Sequence, residues 1–480
     1  MDNNIIYRNL RIRYPQFIYR AFHWQMEESG LHLWFDFEMG DIEFHPSATM
    51  EKQCLDAKLC GSLDNDTDLR RKIDCIVFNI GLIELISYWK CACPPSVKVC
   101  CGNLDELQTA FWRKLYWNGL GEFFYTNGIA ESSETFMQLE SETPTSFQTL
   151  NTLNTTNPLN PAAYLVPIGG GKDSVVTLEL LRRAGKEITP LIMNPRGATV
   201  ECARVAGFSM DGVLVIHRTI DKELLTLNSI TETNPTGEVV HSYLNGHTPF
   251  SAMLAFYTLL ASALSGIPNV ALSNENSANE STVLGTNVNH QYSKSLEFEN
   301  DFRDYCTNAF THSHINAFNY FSFLRPLSEL QIAMLFSQFR QYHDVFRSCN
   351  VGSKQDIWCG HCAKCLFAYI ILSPFIEPQR LNAIFGKAML DDLSLKHEYL
   401  QLLGLAETKP FECVGTVDEV RQALSMAVDR WYTEQRPALV ELVPLLEPEK
   451  TETLEKISSI GNLTAEERQI IEQACIEKSN

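Results

Sequence analysis

The run Gly169-Gly170-Gly171-Lys172-Asp173-Ser174 constrains this chain most. It follows a short apolar run, Tyr164-Leu165-Val166-Pro167-Ile168, and opens an amphipathic stretch over residues 173–184 that Gly185 ends. A strand, a glycine turn and a helix in that order leave backbone N–H groups and the positive helix end facing one point, a ready anion site. Three glycines let the backbone close on phosphate oxygens. Lys172 adds a cation and Ser174 a hydroxyl donor, and Asp173 is a carboxylate suited to a magnesium ion shared with phosphates. The spacing matches neither G-x-x-x-x-G-K-[ST] nor the dinucleotide fingerprint. The bland alternative is a plain strand-to-helix turn, which the Lys-Asp-Ser that follows disfavours.

The alternation continues around this loop. Residues 189–193, 212–216 and 270–272 read as further strands, with a long apolar helix over 251–264. Strands alternating with helices imply α/β architecture with a parallel sheet. Upstream, residues 32–38 and 41–44 alternate apolar and polar around Gly40 as a strand pair. Residues 76–89 and 104–120 have helical periodicity, and Pro94-Pro95 stops the first. Ser, Thr, Asn and Pro dominate 131–161. The expected organisation is an N-terminal α/β domain (1–130), a linker (131–161), a nucleotide-loop domain (162–348), a cysteine-bearing segment (349–415) and a solvated acidic helical tail (416–480).

Charge and cysteine usage narrow the partners. Lys plus Arg number 39 against 58 Asp plus Glu, a formal net charge of −19. Such a chain repels a nucleic-acid backbone, so no nucleic-acid partner is expected. No run approaches the roughly 18 apolar residues of a membrane span, and the N-terminus has no apolar signal core. The expectation is a cytoplasmic chain with no membrane partner, whose 15 cysteines are thiols or metal ligands. Cys349, Cys359, Cys362 and Cys365, spaced C-x9-C-x2-C-x2-C, suit a closed tetrahedral Zn²⁺. His361 is a substitute ligand inside that knuckle. An iron–sulfur cluster and buried free thiols are the alternatives.

The loop resembles the SGGxDS signature of the ATP pyrophosphatases, the group of GMP synthetase, asparagine synthetase and the 7-cyano-7-deazaguanine synthases. Gly169 stands where that signature has serine. The deazaguanine synthases carry a very similar four-cysteine zinc knuckle downstream. The resemblance implies a PP-loop core that cuts ATP between the α- and β-phosphates and adenylates an oxygen of its substrate, with Asn194 in the adenine-contact region. Polar strings fall where strand ends are expected, at 244–251, 272–280, 289–295, 325–330 and 409–416. With the loop, the knuckle and the helix Gly81-Leu82-Ile83-Glu84-Leu85-Ile86-Ser87-Tyr88-Trp89-Lys90, they resemble the MurL family of UDP-N-acetyl-α-D-muramoyl-L-alanyl-L-glutamate epimerases, over about residues 75–416. That implies ATP, Mg²⁺ and Zn²⁺ as cofactors and UDP-MurNAc-L-Ala-L-Glu as substrate. Its terminal L-Glu is inverted to D-Glu, and AMP and pyrophosphate are released.

Within that frame Cys413, Glu412, His290, His247 and Lys294 are the candidates for proton transfer. Ser273 and Asn274 join the loop and Asn194 as nucleotide contacts, and Glu275 joins Asp173 for magnesium. Arg303 and Arg325 offer bidentate donors for the substrate's carboxylates or diphosphate. Capped turns and surface loops are the bland alternative for each string, and salt bridging for the arginines. Two rival readings stand beside the epimerase: another adenylating ligase such as a deazaguanine nitrile synthase, and a zinc-stabilised nucleotide-binding scaffold without catalysis.

Overall fold

The computed structural model describes residues 3–142, 160–233, 239–283, 286, 288–309, 318–443, 445–451 and 453–479. The chain is mixed α/β and packs as two compact units, each assembled from separate stretches. The first holds residues 1–161, 214–268 and 297–319. The second holds 162–213, 269–296 and 320–480.

In the first unit the strands run in the order Leu214–Thr219, Ser47–Glu51, Gly30–Met39, Gln16–Met26, Ser96–Val99, Gln138–Ser141. Gly30–Met39 folds back on Ile42–Phe44, with Phe37 opposite Phe44. Gly40 makes that turn possible by taking φ +64°. The Thr67–Trp89 helix, capped by Asp66, buries every residue from Ile76 to Trp89. Glu84 is tolerated there because Arg218 grips it (2.7 Å) and the Tyr257 hydroxyl donates to it (3.0 Å). A buried carboxylate without such partners would be heavily penalised.

The second unit carries the strand order Asn319–Ser322, Asn269–Leu272, Ala163–Pro167, Glu187–Met193. The middle pair and the last pair are parallel. The Lys172–Arg183 helix follows the all-buried strand Ala163–Pro167.

The strand Leu214–Thr219 pairs antiparallel with Ser47–Glu51 in the first unit, Ile216 opposite the buried Met50. Two expectations need correction. The linker is structured where it is described: Gln138–Ser141 adds parallel to Ser96–Val99, behind the fully buried Phe136 and Met137. Residues 143–159 lie outside the described residues. The tail is helical but not solvated. Val420, Ala423, Leu424 and Ala427 form a buried stripe on the Val417–Trp431 helix, and Ile471 and Cys475 of Ala465–Ser479 are fully buried. Among the described residues no helix is long and apolar enough to cross a membrane.

Candidate active site

The glycine loop takes up its role at the end of Ala163–Pro167. Gly170 has φ +80°, and a Cβ there would come within 3.0 Å of the Ala198 backbone. Only glycine is comfortable at that position. Gly171 is the N-cap of Lys172–Arg183 and offers no side-chain cap, so the first helical N–H groups keep their capacity for an external anion. The Arg347 N–H donates to the Gly170 carbonyl (2.8 Å), pinning the loop from behind. Asn194 closes the neighbouring strand in a left-handed turn, φ 52°, which asparagine tolerates better than most residues. At the end of Asn269–Leu272, Asn274 donates to Ser322 Oγ (3.0 Å), and Ser273 Oγ is buried with no hydrogen-bond partner among the described residues.

Lys172 does not point outward. Its side chain is 7% exposed, and its ammonium is shared between Asp173 and Glu329. Glu329, 3% exposed, begins the Glu329–Phe336 helix behind a Ser328/Gln331 capping box. Its N–H donates to Glu419 Oε1 (2.6 Å). Glu419 Oε2 accepts from the Thr416 N–H (2.7 Å), so Thr416 and Glu419 form a reciprocal cap. Burial raises the Glu329 carboxyl above its ordinary range, with Asp173 and Glu275 adding to the rise against the pull of Lys172. Burial opposes ionisation of Asp173 too, but Lys172, Lys364 and Lys294 hold it below the usual value. Two carboxylates sharing one ammonium are thus driven apart in acidity.

Cys413 lies beside this cluster. Its Sγ is 3.2 Å from Lys294 Nζ and 3.9 Å from His290 Nε2. Burial alone would raise the thiol. Lys294, the hydrogen bond with His290 and the charge of Lys364 overcome it and hold Cys413 at about 6. Such electropositive surroundings are the condition for a reactive thiolate. Lys294 is kept protonated despite its burial by Cys413 and Glu275. Arg325 underlies the arrangement. It is fully buried and donates to the carbonyls of Glu275 (2.6 Å) and Lys294, and to Ser322 Oγ (3.1 Å). Its expected task of holding substrate anions is corrected accordingly: its donors orient the two loops that carry Glu275 and Lys294.

Of the other proton-transfer candidates, Glu412 accepts from Asn350 Nδ2 at 2.6 Å and its carboxyl is raised by burial. His247 belongs to the first unit, where its Nδ1 is 3.3 Å from Glu122. Its loop is held by the buried Lys90, which donates to the Gly246 and His247 carbonyls and to Thr248 Oγ1. Arg303, also in the first unit, donates to Asn319 Oδ1 (2.9 Å).

The four knuckle cysteines converge. Sγ–Sγ separations are 3.8 Å for Cys349–Cys362, 3.7 Å for Cys359–Cys365 and 3.5 Å for Cys362–Cys365. A tetrahedron with Zn–S arms of about 2.3 Å has edges of about 3.8 Å, so the donor set fits. The Gly352 N–H donates to Cys349 Sγ (3.2 Å), the kind of outer support that orients thiolate ligands. His361 is exposed and turns its Nδ1 to the Cys359 carbonyl, so it is not a fifth donor in the cluster. Asp173 and Glu275 join no three-donor cluster among the described residues.

Sequence reasoning missed Glu329, Glu419, Lys364 and Asn350. Two signals were present: the T-x-x-E capping box of Thr416–Glu419 and the lysine inside C-A-K-C.

Residues 9–323 match the model of the MurL N-terminal domain, and residues 345–456 that of the MurL C-terminal domain. The chain is 34% identical over 379 residues to the UDP-N-acetyl-alpha-D-muramoyl-L-alanyl-L-glutamate epimerase of Xanthomonas oryzae pv. oryzae, covering 77% of this chain and 78% of that one. It is 35% identical over 375 residues to the enzyme of the same name from Salinispora tropica, with 76% of each chain covered. To that of a Micromonospora species it is 34% identical over 375 residues, covering 76% of this chain and 78% of the relative. Two domain models in their proper order, and three relatives matched over most of their length, lead to one conclusion: the chain belongs to the MurL family.

Proposed function

We propose that the chain epimerises the terminal L-Glu of UDP-MurNAc-L-Ala-L-Glu to D-Glu through an acyl-adenylate, releasing AMP and pyrophosphate, in peptidoglycan precursor synthesis. Its relatives bear the name of that epimerisation. The observation that carries the reading is the Cys413 thiol 3.2 Å from the Lys294 ammonium and 3.9 Å from His290, in the same unit as an uncapped glycine loop.

The physical logic is one of charge. Removing an α-proton beside a carboxylate builds a second negative charge next to the first. Adenylation turns the carboxylate into a mixed anhydride and removes that obstacle. A positioned base then takes the proton, an effect worth about 10²–10⁴-fold. A proton returned to the opposite face inverts the centre, and water hydrolyses the anhydride to release AMP. Cys413 as thiolate is the base, with His290 and Lys294 holding it ionised. The glycine loop and the N-terminus of Lys172–Arg183 receive the phosphates, and Ser273 Oγ supplies a further donor. Asp173 and Glu275 would hold Mg²⁺, which would neutralise charge on the phosphates; such sites commonly use only one or two carboxylates. The four knuckle cysteines would hold Zn²⁺ in a closed, structural site.

The test is phosphorus NMR of ATP incubated with the enzyme and the L,L-dipeptide nucleotide. AMP and pyrophosphate should appear only when both are present. ADP and free phosphate as primary products would overturn the reading. ATP binding without cleavage would favour the scaffold.

The knuckle makes a separate prediction. Purified protein should carry about one zinc per chain, and Cys362→Ser should lower metal content and solubility together. Metal-free wild type that is folded and active would exclude the zinc assignment.

A further inference from the structure

The knuckle holds the segment that carries Cys413 from two sides. Asn350, next to Cys349, donates to the Glu412 carboxylate at 2.6 Å. Lys364, between Cys362 and Cys365, donates its ammonium to the Cys413 carbonyl. Both grips start one residue from a knuckle cysteine. Lys364 also has a fixed direction: Cys362 caps the Ala363–Leu372 helix by accepting the Cys365 N–H, which places Lys364 in its first turn. Its Nζ lies 5.5 Å from the Phe367 ring centroid, within reach of a cation–π contact. A third tie comes from the loop bearing His290 and Lys294, where Gln291 Nε2 donates to the Val414 carbonyl (3.3 Å). The backbone of 412–414 is thus fixed by the knuckle on one side and by the loop of its charge partners on the other.

A closed structural metal site needs none of this to stabilise a fold. Two polar side chains, both adjacent to ligands and both aimed at one dipeptide, are what a clamp requires. We propose that Asn350 and Lys364 are positioning residues through which the knuckle sets the reacting geometry of Cys413, so that closure of the four thiols on a soft divalent metal arms the thiol. The proposal rests on the reading of Cys413 as the proton-transfer thiol. It assigns the knuckle a second role, in which metal loss disarms the site before it unfolds the unit.

The groups facing the Cys413 thiol are Lys294, His290 and Lys364. Glu412, its chain neighbour, is also coupled to it. The experiment uses the metal-loaded full chain and measures iodoacetamide labelling of Cys413, read by peptide mass spectrometry, from pH 5 to 9. Wild type should label with a midpoint near 6. Lys364→Met should move the midpoint up by about one pH unit, the usual order of effect for one nearby charge. Lys364→Arg should restore most of it, since a cation again meets the carbonyl. Asn350→Ala should slow labelling with zinc content unchanged. Removing the metal with a chelator should slow labelling while hydrogen exchange of the Lys172–Arg183 helix stays at its wild-type level. Labelling unchanged in both Lys364→Met and the metal-free chain would overturn the clamp.

Failure of the underlying reading looks different. Wild-type Cys413 would then titrate like an ordinary thiol, near pH 8.5. The clamp would still be decided by hydrogen exchange of residues 409–416: exchange faster in Lys364→Met supports it, and exchange at the wild-type rate removes it.

Discussion

Cys413→Ala should lower inversion of the glutamate centre by a factor on the order of 10² or more while AMP and pyrophosphate are still released. The separation follows from geometry. Asp173 and Lys172 lie on the Lys172–Arg183 helix, whereas Cys413 sits on a loop held by Lys364 and Asn350. If Cys413 is the base, deleting the thiol removes it and leaves the glycine loop intact. The measurement is paired: phosphorus NMR for ATP cleavage, and deuterium at the α-carbon of D-Glu for reactions run in deuterium oxide. Wild type should incorporate deuterium only with ATP, because without the anhydride the carboxylate opposes the carbanion. The pH dependence has a definite sign. With Cys413 held at about 6, its thiolate is present at pH 7 and lost as pH falls through 6, so inversion should fail on the acid side. Normal inversion in the variant would pass the role to Glu412 or His290. Inversion without solvent deuterium would imply one shielded base returning the same proton.

What the sequence made legible is local chemistry. The loop is readable because strand, glycines and helix are contiguous, and Gly170 adopts the left-handed backbone that only glycine accepts easily. Three of the four cysteines are readable because C-x2-C-x2-C brings thiols together within two turns of chain, whatever surrounds them, and Cys349 stands a short loop upstream. Contacts made by folding were not readable. Lys172 meets Glu329 across 157 residues, and neither flank announces the other. Arg325 was a candidate anion clamp because a guanidinium offers bidentate donors. Its complete burial against two carbonyls depends on how the loops of Glu275 and Lys294 converge. The tail was misread for a different reason. Its excess of acidic residues drew attention from Val420, Ala423, Leu424 and Ala427, whose i, i+3, i+4, i+7 spacing marks a buried face. The acidic count even hid a functional neighbour, since Glu419 is the residue that caps Glu329.

Asp173→Asn should abolish ATP cleavage, α-carbon exchange and inversion together. The choice of residue and replacement matters. Lys172→Met would strand Asp173 and Glu329 in a buried site without their shared ammonium, and breaking a buried pair in that way costs about 3–5 kcal/mol. Loss of activity in that variant would say little about chemistry. Asparagine at 173 keeps the shape of the side chain, and Lys172 keeps its contact with Glu329. Glu329 should in turn ionise more readily, because one of the charges that raises its carboxyl is gone. The variant should therefore unfold within a few degrees of wild type while its chemistry is absent. The reason lies in order of events. If Asp173 holds the magnesium ion that shares the phosphates, no anhydride forms without it, and an α-proton beside a free carboxylate is not removed at a useful rate. Loss of all three signals with the melting temperature preserved supports this order. Deuterium exchange that persists in Asp173→Asn would place proton removal upstream of ATP cleavage and would dismantle the acyl-adenylate mechanism. Cleavage that persists without exchange would instead move Asp173 from the metal to the glutamate centre, beside the Lys294 whose charge already reaches it.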